Sequence, residues 1–149
     1  MQRGRRLSLA KPVITHVLDT SAILAHYLHE PGADIVQALL ARGRGMTGIS
    51  LVSLVELRAR LPEATSHAEE AERAYRLYTE TLTTILPFTR ETAETAIRLR
   101  AATRPRLPLV DALIAASAKE QGAILVHRDP HMSAMDPALV AQLVLVPKA

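Results

Sequence analysis

Val13-Ile14-Thr15-His16-Val17-Leu18-Asp19-Thr20-Ser21-Ala22 is the stretch on which the fold turns. From Val13 to Leu18 the residues are mostly apolar and β-branched, which predicts a strand. The strand ends at Asp19-Thr20-Ser21, and a helical pattern then continues through Leu28. The unit is therefore strand, loop, helix. Pro31-Gly32 breaks that helix, residues 33–42 are helical again, and Arg42-Gly43-Arg44-Gly45 is a turn into a short strand from Met46 to Ile49. A third helix is expected from Ser50 to Leu61, closed by Pro62.

From Ala64 the apolar residues fall at Ala64, Ala68, Ala71, Tyr75, Tyr78, Leu82 and Ile85, at spacings of four and three. Such a stripe predicts one long helix with a narrow seam, packed against another helix of the chain or against a partner. The short apolar piece Ile85 to Phe88 precedes a helix from Glu91 to Thr103, and Pro105 and Pro108 mark a loop. Leu109 to Gln121 is apolar on nearly every side, as an interior helix is. Gly122 ends it, Ala123 to His127 is a buried strand, and Leu139 to Val146 supplies the last strand. Strands alternating with helices predict an α/β domain built on a parallel sheet.

The 149 residues, 48% of them hydrophobic, suffice for one core, and a single domain is expected over residues 13–149. Cysteine is absent, which excludes disulfides, thiolate catalysis and cysteine-based zinc sites. Arg3, Arg5 and Arg6 resemble the start of an export signal, but Lys11, Pro12, His16 and Asp19 interrupt the apolar run such a signal requires. No stretch approaches a membrane span, and a soluble, cytoplasmic protein is expected. Residues 1–12 carry four of the chain's 18 Lys and Arg and none of its 15 acids, so the rest has 14 bases against 15 acids. The basic charge is thus an N-terminal arm, which serves either RNA phosphates or solubility.

Most acids lie in polar helical stretches, but four do not. Asp19 and Asp129 each follow an apolar strand, where open α/β sheets bind ligands, although helix capping also explains a lone Asp there. Glu56 sits in the largely apolar Leu51-Val52-Ser53-Leu54-Val55-Glu56-Leu57. Asp111 is the most anomalous, in Leu109-Val110-Asp111-Ala112-Leu113-Ile114-Ala115-Ala116, with no Lys or Arg one helical turn away. A buried carboxylate without a partner is costly. Distant arginines or a hard divalent cation would supply one; the shared cation accounts for all four acids at once, and oxygen-only ligands select Mg²⁺ or Mn²⁺. Such an ion activates water and stabilises phosphate charge, the chemistry of metal-dependent nucleases.

Val17-Leu18-Asp19-Thr20-Ser21-Ala22, Ser53-Leu54-Val55-Glu56-Leu57, Leu107 to Ala115 and Leu125-Val126-His127-Arg128-Asp129, in that order, resemble the PIN-domain proteins of the VapC-type toxin group. The resemblance spans Val13 to Val146. It implies a three-layer α/β/α sandwich with a central, mainly parallel sheet. It also implies a metal-dependent endoribonuclease, the toxin of a type II toxin–antitoxin pair, inhibited by a cognate antitoxin and expected as a homodimer. By position, Asp19 and Asp111 would be the principal Mg²⁺ ligands, Glu56 and Asp129 would complete the cluster, and Thr20 and Ser53 would orient the carboxylates. The last motif departs from the pattern: His127 replaces a hydroxyl residue, and Pro130-His131-Met132 replaces the usual ending. His127 and His131 stand open as proton shuttles or as plain polar residues.

A haloacid-dehalogenase-like phosphatase would need a second acid where Ser21 stands. A receiver domain would need an acidic pair near the first strand and a lysine after a later one, and neither pattern appears. The alternative from another class is a catalytically silent PIN-like module that binds RNA or protein. With three Tyr, one Phe and no Trp, base stacking has little support. RNA contact would then fall to phosphate-binding bases, of which Arg104, Arg106 and Arg128 are nearest the expected site in sequence.

Overall fold

The computed structural model describes residues 13–147, so the basic arm expected over residues 1–12 lies outside them. Its five strands are β1 (His16–Leu18), β2 (Thr47–Ser50), β3 (Thr84–Leu86), β4 (Ile124–His127) and β5 (Gln142–Val144). They form one sheet in the order β3-β2-β1-β4-β5, and every pairing is parallel. The helices are α1 (Thr20–Tyr27), α2 (Ala33–Leu40), α3 (Leu51–Ala64), α4 (Ala68–Arg76), α5 (Arg90–Ala102), α6 (Leu109–Gln121) and α7 (Pro130–Ser133).

Successive side chains of a strand point to opposite faces, and the two faces carry two cores. Val17 and Leu125 pack with Leu99 of α5 and with Ala112, Ile114 and Ala115 of α6. Leu18 and Val126 pack with Ile23 of α1, Val36 of α2, Leu57 of α3 and Ala71 of α4. The result is the expected three-layer α/β/α sandwich. From β1 the chain builds outward through β2 and β3, then returns to add β4 and β5 on the other side. The reversal opens a crevice at the carboxyl ends of β1 and β4, the standard place for a ligand in such sheets.

Several boundaries differ from the sequence reading. Helix α3 continues through Pro62 to Ala64. A proline forfeits one helical hydrogen bond, which is tolerable in a final turn pinned by the buried Leu61. The long helix expected from Ala64 to Ile85 is replaced by α4, a π-helical turn at Leu77–Leu82, and β3. The turn is stabilised by hydroxyls: Thr79 Oγ1 donates to the Tyr75 carbonyl at 2.7 Å, and Thr83 Oγ1 donates to the Tyr78 carbonyl at 2.6 Å. The apolar stripe meets its own chain, since Ala71, Ala74 and Tyr78 are buried in the second core. The last strand is shorter than expected, and the short α7 was not anticipated.

Gly32 begins α2 with φ +96°, and a Cβ there would lie 3.1 Å from Leu145 Cβ. Both the left-handed backbone and the close approach demand glycine. Gly32→Ala is expected to cost about 1–3 kcal/mol, read as a lower urea midpoint with an unchanged m-value.

Candidate metal centre

Asp19 follows β1 and caps α1, its side chain accepting the Ser21 N–H. Its backbone N–H donates to the Val126 carbonyl of β4 at 2.9 Å, so the first acid is registered against the neighbouring strand. Ser21 Oγ donates to Asp19 Oδ2 at 2.5 Å and accepts the Arg128 N–H at 3.1 Å. That hydroxyl joins the loop after β1 to the loop after β4. Glu56 arrives from α3, and Thr20 Oγ1 donates to its Oε1 at 2.7 Å. Asp111 enters from the first turn of α6. Asp129 follows β4 and caps α7, its Oδ1 accepting the His131 N–H at 2.8 Å.

Asp19, Glu56, Asp111 and Asp129 line one cleft of about 310 Å³, together with Thr20, Ser21, Arg60 and Arg128. Among the described residues none of Asp19, Glu56 and Asp111 has an ion-pair partner. The two arginines of the cleft are engaged by acids outside its lining. Arg128 pairs with Glu30 at 3.1 Å, each side chain only 12% exposed, and Arg60 lies 3.6 Å from Glu63.

The carboxylates therefore feel burial and each other. Burial holds the Asp19 carboxyl above its usual range, opposed by the Ser21 hydrogen bonds and reinforced by the charges of Glu56 and Asp129. Asp111 is pushed up to about 7, first by burial and then by the charges of Asp129, Asp19 and Glu56, with His131 opposing. A divalent cation would reverse the mutual repulsion. The oxygen-rich donor set suits Mg²⁺ or Mn²⁺.

Of the residues singled out in the sequence, the four acids, Thr20 and Arg128 come together here. Ser53 is fully buried, and its hydroxyl has no hydrogen-bond partner among the described residues. Arg104 donates to the Ala101 and Thr103 carbonyls at the end of α5, and Arg106 lines a separate hollow with Ile97, Arg100 and Ala101. Neither lines the acidic cleft.

His127 is wholly buried. Its Nδ1 accepts the Asp129 N–H at 3.0 Å, so its proton sits on Nε2, which donates to Gln142 Oε1 at 2.8 Å. It braces the turn of the fourth acid. Two cleft residues escaped the sequence reading. Ser21 follows Asp19 by the two residues of a capping bond, and Arg60 follows Glu56 by one helical turn.

The arrangement is a doubly wound α/β domain with an acidic cleft at its switch point. The sequence profile of the PIN domain matches residues 16–137, and the chain belongs to that family. No curated protein matches it by sequence. Among solved structures it resembles VapBC2 from Rickettsia felis bound to a DNA fragment from its promoter, with a TM-score of 0.69 and 18% identity over 89% of this chain and 100% of that one. DNA-bound VapBC from Salmonella typhimurium has a TM-score of 0.70 and 15% identity over 88% and 98%. VapBC-5 of Mycobacterium tuberculosis, a toxin–antitoxin system member, has a TM-score of 0.60 and 22% identity over 93% and 100%.

The raised Asp111 sets a pH dependence for the metal-free protein. The folded state holds this proton up to about pH 7, whereas the unfolded chain releases it near 3.8. Stability is therefore lost as pH rises through that interval. In chelator, Tm is expected to fall by about 3–5 °C between pH 5 and 8. Asp111→Asn should flatten that slope, and Mg²⁺ should restore Tm at pH 8 only in the wild type.

Proposed function

We propose that this chain is a metal-dependent endoribonuclease of the VapC toxin type. What carries the reading is the cleft itself: four carboxylates converge on it, three of them have no ion-pair partner among the described residues, and its arginines are engaged by other acids. Asp19 and Asp111 would hold Mg²⁺ or Mn²⁺, with Glu56 and Asp129 completing the shell. When bound, the ion supplies an activated water and stabilises charge on the phosphodiester.

The chain's own groups do the positioning. Ser21 bonds only to Oδ2 of Asp19, so the other oxygen is the one suited to a metal. Thr20 fixes Glu56, and the His127–Gln142 pair holds the backbone of Asp129. Arg60 and Arg128 border the cleft, where an RNA phosphate would compete with Glu63 for the one and with Glu30 for the other, whereas Arg104 and Arg106 would meet RNA only beyond it.

Purified RNA should be cut with Mg²⁺ or Mn²⁺ and spared with chelator, and Asp19→Asn or Asp111→Asn should each reduce the rate by about 10²-fold or more. Undiminished cleavage by both variants would refute the proposal. Binding without cleavage would favour the silent module.

The partner we propose is a cognate antitoxin, with the toxin itself a homodimer in the cytoplasm. Among the described residues no helix is long and apolar enough to cross a membrane. Expression is expected to arrest growth, with relief on co-expressing a small protein encoded beside this gene. Normal growth at full expression would count against a toxin.

A further inference from the structure

His131 follows Asp129 by two residues, on a short helix held at both ends. Pro130 opens α7 with its fixed φ, Asp129 caps it, and the next residue, Met132, is fully buried in the first core. The backbone of His131 is thereby set beside Asp129, and its imidazole is exposed. Its Nδ1 lies 3.1 Å from Asp129 Oδ1. One donor atom from each of Asp111, Asp129 and His131 falls within 4.8 Å of the other two.

These spacings match a coordination shell. An octahedral ion with bonds of about 2.1 Å holds adjacent donors about 3.0 Å apart and opposite ones about 4.2 Å apart. The Asp129–His131 separation of 3.1 Å is already that of two adjacent ligands, and the Asp111 donor lies within 4.8 Å of both. His127, the other nearby imidazole, is unavailable, because both of its nitrogens are occupied within the protein.

Resting on the reading of the cleft as a divalent-metal site, we infer that His131 is a direct nitrogen ligand to the ion held by Asp111 and Asp129. A mixed nitrogen and oxygen shell tilts the site away from Mg²⁺ and toward transition metals, Mn²⁺ among them, which accept a nitrogen ligand more readily. The competing arrangement is a plain hydrogen bond from His131 to the Asp129 carboxylate, which would give no metal–nitrogen bond.

The test is Mn²⁺ titration of the full chain followed by electron paramagnetic resonance, with electron-spin-echo detection of imidazole ¹⁴N on the bound ion. The wild type should show the ¹⁴N modulation, and His131→Ala and His131→Gln should lose it. Both variants should bind Mn²⁺ about 10-fold or more weakly, while Mg²⁺ affinity, measured by competition, changes less than about twofold. His131 is exposed, so neither variant empties the core, and unchanged Tm in chelator would confirm an intact fold. Bound Mn²⁺ that Asp111→Asn abolishes, yet without imidazole modulation in the wild type, would overturn the role of His131 while sparing the metal site. No Mn²⁺ binding at all would overturn both.

Discussion

The Ser21 hydroxyl occupies the point where the two halves of the sheet meet. Pairing β1 with β4 aligns two strands far apart in sequence, but hydrogen bonds within the sheet stop at the strand ends. Beyond them the Asp19 N–H still reaches the Val126 carbonyl, and the residues after β4 take their tie to the end of β1 from a side chain. Ser21 donates to Asp19 and accepts from the backbone of Arg128, so it holds both loops in one geometry. The acid of each loop depends on that geometry: Asp19 lies at one end of the bridge, and Asp129 is the residue after Arg128.

The other two acids are delivered by elements with independent anchors. Glu56 rides on α3, whose Leu57 and Leu61 are buried in the second core, and Asp111 rides on α6, which the first core encloses. Apolar packing thus holds four carboxyl groups together, at a cost to the metal-free fold set by burial and repulsion. Functional sites characteristically give up stability in this way.

How far the sequence foretold this depends on what each residue answers to. Helix α6 has the expected bounds because local signals agree, with Pro108 before it and Gly122 in the left-handed conformation after it. Asp111 stood out because a charge in an apolar helix demands a partner, and Asp19 because it ends the first strand, where such sheets bind ligands. The stripe from Ala64 to Ile85 misled because a 4-3 spacing cannot distinguish a continuous helix from one loosened by a π-turn. The decisive bonds, from Thr79 and Thr83 to backbone carbonyls, depend on how the chain returns to β3. Arg104 and Arg106 were close to Asp111 in sequence only, since α6 carries the acid into the cleft while the preceding loop follows the end of α5. Arg60, one turn beyond Glu56, shares its helix face and its cleft.

His127 and Gln142 carry a consequence for how this protein can change over generations. The amide of Gln142 accepts from the imidazole and donates to the Met135 and Val140 carbonyls, so its orientation is determined as firmly as the tautomer of His127. Replacing His127 by a small hydroxyl residue would strand the amide oxygen, and replacing Gln142 by an apolar residue would strand the buried Nε2–H. Either orphan costs about 1–3 kcal/mol. The two positions are therefore physically coupled: a lineage that keeps histidine at 127 is expected to keep a hydrogen-bond acceptor at 142, and exchange of one is expected to accompany exchange of the other.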